Sequence, residues 1–365
     1  MLASILSVTA GEVFTYIGYV IVALIALMIM IVVHELGHYL AGKALGFKID
    51  EFALGFGPAI FKRRSKKTGE LFTIRPFPIG GFCAFHGEDE DGVEDEGAFN
   101  KQKPWKRLIV LFSGALFNFL SAIVIITIYF TAYGQILPVV NAAYDVNGSP
   151  NVFREGDVVL AVDGKQVNIM TTDDLTSVFK DVDDGTVVKV LRDGESVKIT
   201  VTKGSYVITD DEYLSEGESA EQTGLGIVFG PQSVKLGFWR SLGRSFGFAF
   251  FIVFKVLASL GALLTGKLGL ETAGGTITVI KTIAEVSATG FGSFLYVVAI
   301  ISANLAVMNL LPIPALDGSR MVFTLIEMIF RKPVPRKIEA VIHAVGLILL
   351  LLLAVFLDIF HLVNA

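Results

Sequence analysis

A single cysteine, Cys83, occurs in 365 residues. That excludes an internal disulfide and any Cys-x-x-Cys metal site. Charge is scarce as well: Asp, Glu, Lys and Arg make up 18% of the chain, against about 25% in soluble domains. Neither sign dominates. Thirty Lys and Arg stand against 35 Asp and Glu, a net charge of -5, so neither nucleic acid nor a polybasic membrane tail is indicated. The opening MLASILSVTAGEVF lacks a charged leader and a convincing cleavage site. It reads as a short lead into an apolar run, not as a removed signal peptide. What is abundant is apolar: 53% of residues are hydrophobic and mean hydropathy is +0.65. An integral membrane protein with room for one soluble module is expected.

Tyr16 to Val33 contains no charge and is long enough for a transmembrane helix. About four spans are expected, near 14–45, 108–133, 292–312 and 338–361. Residues 238–288 supply one or two further apolar helices. Arg240, Arg244 and Lys255 make the first of these amphipathic, which places it at the membrane interface. Three basic clusters, Lys62–Lys67, Lys101–Arg107 and Arg331–Lys337, fall on one side of a four-span chain. The positive-inside rule makes that side cytoplasmic and puts both termini and 134–235 outside.

Residues 49–86 alternate apolar and polar positions and are punctuated by Gly and Pro, so they read as short strands. Such a broken stretch does not span. It is tolerated at membrane depth only against protein or a wet cavity. The run 87–97 is acidic and reads as a solvated loop. Asp163-Gly164 and Asp193-Gly194 mark tight hairpin turns in a small α/β module. The expected division is 1–48 (first span), 49–100 (β-loop and acidic loop), 101–135 (second span), 136–205 (α/β module), 206–290 (linker and interfacial helices) and 291–365 (last two spans).

The first span carries His34-Glu35-Leu36-Gly37-His38. Ionisable residues inside a membrane are costly and point to function. Spacing i, i+4 sets both imidazoles on one helix face as metal ligands, with Glu35 beside them as general base. Catalytic zinc takes three protein ligands and keeps a position open. Asp317, in Asn309-Leu310-Leu311-Pro312-Ile313-Pro314-Ala315-Leu316-Asp317-Gly318, follows the third span on the side where the first span ends. It is the expected third ligand. His86, His343 and His361 lie in no motif.

HELGH, the FGP and PIGGF strand loop, GALFNF, REGDVV…DG and NLLPIPALDG together resemble the site-2 protease family of intramembrane zinc metalloproteases, most of all the bacterial regulator-of-sigma-factor proteases. The resemblance covers nearly the whole chain. It implies a polytopic α-helical membrane protein with a membrane re-entrant β-loop at 49–86 and one extracytoplasmic PDZ-like domain. One zinc ion per chain would be held by His34, His38 and Asp317, with Glu35 as catalytic base. Asn309 would bind substrate backbone or the oxyanion, and Asn118 would help to position substrate. The chain departs from the family pattern at Ser319, where a second glycine is common, and at Gly114-Ala115, where Gly-Pro is usual.

The implied activity is hydrolysis of a peptide bond within a single-span membrane protein, such as an anti-sigma factor or signal-peptide remnant, after another protease has cut its ectodomain. The implied setting is the bacterial cytoplasmic membrane, with membrane lipid around the protein and the active site near the cytoplasmic face. Two other classes fit intramembrane His and Asp. A metal transporter or sensor predicts further acidic or His residues along facing spans; the second and fourth spans carry almost none apart from Asp358 near the far end. An inactive PDZ-presenting scaffold predicts loss of the glutamate or a ligand.

Overall fold

The computed structural model describes residues 10–88, 94–210, 213 and 220–364. The N-terminal lead, the centre of the acidic run at 89–93 and most of the acidic stretch 211–219 lie outside the described residues. The order of elements is α1 (Ala10–Ala44), β1 (Ile49–Phe56), β2 (Phe61–Arg64), β3 (Leu71–Ile74), β4 (Phe77–Phe85), α2 (Pro104–Ala132), β5 (Gln135–Ala143), β6 (Val158–Val162), β7 (Lys165–Gln166) and α3 (Thr172–Ser177). Then come β8 (Val187–Arg192), β9 (Glu195–Thr200), β10 (Gly204–Val207), β11 (Glu221–Gly224), β12 (Ile227–Val234), α4 (Phe238–Leu264), α5 (Thr276–Thr289), α6 (Phe291–Leu310), α7 (Asp317–Phe330) and α8 (Arg336–Asn364). The chain forms two compact units, residues 1–126 with 252–365, and residues 127–251.

In the first unit α1 runs unbroken until Gly46, which has φ 83°. The left-handed glycine lets Phe47 N–H reach back to the Gly42 carbonyl at 2.9 Å, which closes the helix end. Small residues on α1 permit close helix packing. Ala23 sits against Ile283 and Ala284 of α5, and Ala26 and Met30 sit against Val298 of α6. α5 is only 14 residues long, and its first turn is capped from α8. The Asp358 carboxylate accepts from the N–H groups of Ile277 and Thr278 at 3.0 and 2.9 Å. Asp358 is therefore a helix cap, and it gives no support to an ion path.

Residues 49–85 form a four-stranded sheet in the order β2-β3-β1-β4. β1 pairs with β3 in parallel, and the other two pairings are antiparallel. Strand alternation separates two faces. Glu51, Thr73 and Arg75 lie together on one, where Arg75 Nη2 donates to Glu51 Oε1 at 2.7 Å. Phe52, Leu54, Phe72 and Ile74 share the other.

The second unit is built on a sheet in the order β12-β5-β6-β8-β9, with β7 paired to β6. Its core is aliphatic, with Leu137, Val159, Val188 and Val190 fully buried. Asp163 and Gly164 have φ 46° and 75°, and Asp193 and Gly194 have φ 51° and 83°, as hairpin turns of this length require. Thr171 and Asp174 form a reciprocal capping box at the start of α3. The sheet extends beyond the expected 136–205. β12 pairs with β5 from Gln135↔Val234 to Ala143↔Ile227, so Ile227–Val234 is a strand of this sheet and not a plain linker.

Among the described residues five helices, not about four, are long and apolar enough to cross a membrane: α1, α2, α4, α6 and α8. The addition is α4, at 27 residues. Its arginines suggested an interfacial helix, but they are bound to the second unit. Arg244 donates to the carbonyls of Leu160 at 3.0 Å and Val167 at 2.6 Å, and Arg240 donates to Gly194 O at 2.9 Å. Polar residues engaged by protein carbonyls say nothing about a lipid interface.

Candidate metal centre

Two close approaches set the site. A Cβ on Gly37 of α1 would run into the Ser113 carbonyl of α2, and a Cβ on Gly114 would run into the rings of His38 and His34. Glycine at both positions lets the helices touch at the level of the two histidines. The rings meet edge to face, with centroids 4.7 Å apart. Both histidines are buried.

The third group arrives from 283 residues away. α6 ends at Leu310, the Pro312–Leu316 segment turns, and Asp317 is the first residue of α7. Gly318 is packed so tightly against the Leu310 and Leu311 carbonyls that any side chain would collide. Ala315 takes φ 80°, a left-handed conformation costly for a non-glycine residue. It is held there because its N–H donates to His343 Nδ1 on α8 at 3.1 Å, and Gly346 of α8 lies directly against Pro314. Sequence reasoning passed over His343 and Gly346. Their only local signal is a lone histidine and a glycine three residues apart in an apolar helix.

Three donor atoms converge. His34 Nε2 lies 3.0 Å and His38 Nε2 3.3 Å from Asp317 Oδ2, and the two nitrogens are 3.1 Å apart. Among the described residues this is the one His/Cys/Asp/Glu group spaced to hold a metal ion. A tetrahedral zinc site with bonds of about 2.0–2.1 Å has edges of about 3.3 Å, so the donor set fits zinc by type and spacing. The outer ring nitrogens fit too. His38 Nδ1 lies 2.8 Å from the Val110 carbonyl, which selects the tautomer with Nε2 free to ligate. His34 Nδ1 lies 3.3 Å from the Asn309 amide nitrogen. The ligating tautomer carries a proton on Nδ1, so the amide oxygen belongs there, and a half-turn of the amide supplies it.

Glu35 is half-buried and faces β4. Its Cγ would lie 3.6 Å from a Cβ on Gly81, and the Cys83 backbone N–H interacts with its carboxylate. β4 is the end strand of its sheet. The remaining candidates fall as follows. Asn118 is buried on α2, one turn beyond Gly114, and its side-chain oxygen has no hydrogen-bond partner among the described residues. His86 pairs with Asp50 at 3.0 Å, and His361 with the Ala273 carbonyl at 2.8 Å, so neither joins the cluster.

Helices long and apolar enough to cross a membrane thus bring a His–His–Asp donor set together beside a glutamate. Residues 22–353 match Peptidase family M50, and the chain belongs to that family. A "Putative zinc metalloprotease" of Fusobacterium nucleatum is 33% identical over 337 residues, which cover 91% of this chain and 94% of that protein. One of Clostridium perfringens, under the same description, is 33% identical over 350 residues, covering 93% and 97%. A chloroplastic "Probable membrane metalloprotease" of Arabidopsis thaliana is 30% identical over 349 residues, covering 90% and 76%.

Proposed function

We propose that the protein is a zinc-dependent intramembrane endopeptidase that cuts within the membrane segment of single-span proteins already trimmed by another protease. The convergence of His34 Nε2, His38 Nε2 and Asp317 Oδ2 beside Glu35 carries this reading. Zinc held there supplies Lewis acidity, polarising a carbonyl and bringing the pKa of water to about 7. Glu35 takes the proton of the attacking water and delivers it to the leaving amine. Val110 and Asn309 hold the two imidazoles in the ligating tautomer. With its oxygen turned to His34, Asn309 keeps its N–H groups for the substrate carbonyl or the oxyanion, a kind of contact worth roughly 3 kcal/mol elsewhere. Asn118 keeps an unsatisfied amide one turn from Gly114, which supports a positioning role.

A helical substrate offers no free carbonyl and must unwind. The unpaired edge of β4, next to Glu35, suits strand addition and would offset that cost. The 127–251 unit, built on a six-stranded sheet with the short helix α3, suits the PDZ-like filter that the motif resemblance implies. The setting proposed is the bacterial cytoplasmic membrane, with the basic clusters inside and both termini outside. Four crossings satisfy it. Asp358 near the end of α8 caps the start of α5, which supports an outer position for Thr276 in this topology. α4 begins from the outer segment, so the chain is outside both before and after it. That supports α4 as a non-crossing helix despite its length.

The test compares wild type with Glu35→Gln on a pre-trimmed single-span substrate in detergent, with zinc assayed in both. The expected result is equal zinc and a rate lower by about 10²–10⁴-fold in the variant. Undiminished cleavage by Glu35→Gln, or no zinc in either protein, would overturn the proposal.

A further inference from the structure

The apolar face of the β1–β4 sheet is incompletely covered. Phe52, Leu54, Phe61, Phe72 and Ile74 lie on it, because Phe61 pairs with Ile74, Phe72 with Phe52 and Ile74 with Leu54. Tyr39 of α1 packs on Phe52 and Phe72, with ring centroids 5.4 and 5.9 Å away. Towards β2 the sheet and α1 diverge and leave a trough of about 720 Å³, bounded on the α1 side by Leu36. Phe61 is 53% and Ile74 49% exposed there.

One rim of this trough is cationic. Arg63, Arg64, Lys66 and Lys67 line it, and none has a carboxylate within ion-pair reach among the described residues. The nearby carboxylates already have partners: Glu70 pairs with Lys43 at 3.2 Å, and Glu51 with Arg75 at 2.7 Å. Water would satisfy the cations but not the phenylalanines. A ligand that satisfies both is an amphiphile with an anionic head.

The geometry points to a binding site for one anionic phospholipid, with an acyl chain in the trough and its phosphate against the Arg63–Lys67 turn. The trough is the face of the sheet and not an edge. β1 and β3 are each paired on both sides, so over Phe52, Leu54, Phe72 and Ile74 an extended peptide would find no backbone partners, whereas a hydrocarbon chain needs none; the open edge on this side belongs to β2, at the rim. A helical segment with a wholly apolar surface would be indifferent to the cations. The site is independent of the proposed hydrolysis.

The experiment is native mass spectrometry of the full-length protein in detergent with equal phosphatidylglycerol and phosphatidylcholine of identical chains. One phosphatidylglycerol per chain is expected, with a preference of about tenfold or more for the anionic lipid. The exposed quadruple variant R63Q/R64Q/K66Q/K67Q should lose the preference. Leu54→Trp, which fills the trough, should lose retention with the charges intact. Excess glycerol phosphate should displace no lipid. Equal retention of both lipids by wild type, undiminished anionic preference in the quadruple variant, full retention by Leu54→Trp or displacement by glycerol phosphate would each overturn the site.

Discussion

The backbone N–H of Ala315 donates to His343 Nδ1 at 3.1 Å across a separation of 28 residues. The strained turn before Asp317 is thus held by a helix that contributes no donor to the metal cluster. His343→Phe removes the acceptor and keeps most of the volume. Loss of one buried hydrogen bond, about 1–3 kcal/mol, should loosen the loop and weaken metal retention about tenfold. His343→Asn offers an oxygen near the Nδ1 position and should restore much of it. Zinc loss to a competing chelator reads the effect, and equal retention in all three proteins would show that the hydrogen bond does not position Asp317.

Gly114 is the second point of sensitivity. A valine there would push into both histidine rings. Overpacking of this kind costs about 1–3 kcal/mol and forces the neighbours to move. Here the neighbours are the donors, so Gly114→Val should lose zinc out of proportion to its melting temperature. A variant that melts lower but keeps full zinc would contradict the close approach of α1 and α2.

Arg107 is 2% exposed and donates to Glu327 at 2.5 Å, which ties α2 to α7. Removing one member of such a buried pair costs about 3–5 kcal/mol, because the other charge is stranded. Arg107→Met should therefore lower thermal stability in detergent strongly. The double variant with Glu327→Leu should recover much of the loss. A double variant no more stable than Arg107→Met would mean that the pair is not what holds these helices.

In the second unit Asp157 is 1% exposed and is gripped by both Nε and Nη2 of Arg192, at 2.8 and 2.7 Å. The same Nη2 donates to the Val152 carbonyl at 2.8 Å, which joins β8 to the loop before β6. Arg192→Ala should destabilise this unit by about 3–5 kcal/mol and expose its strands to protease. The zinc content of the protein should stay unchanged. Proteolysis that leaves 127–251 as resistant as in wild type would contradict the role of the pair.

Local pattern carried some of this organisation and failed for the rest. The i, i+4 spacing of His34 and His38 is a helix property, so their shared face follows from spacing alone. Both Asp-Gly turns are equally local, and each occurs where its residues indicated. The place of β12 in the sheet was not legible because its pairing with β5 joins segments about 90 residues apart, and nothing within Ile227–Val234 names its partner. Arg240 and Arg244 of α4 look the same in sequence whether they face water or protein carbonyls, and only the structure shows that they bind carbonyls of the second unit.

By itself the sequence determined four of the membrane-length helices, the shared face of the two histidines and the glutamate beside them. These follow from hydropathy and from the periodicity of a single helix. Only the tertiary structure decided how near Asp317 comes to those histidines, which carbonyl and amide orient them, and that His343 and Gly346 seat the turn bearing Asp317. These are distances between helices remote in sequence. They are set by where glycine permits close approach and where a buried N–H finds its acceptor, and no period along the chain encodes such a distance.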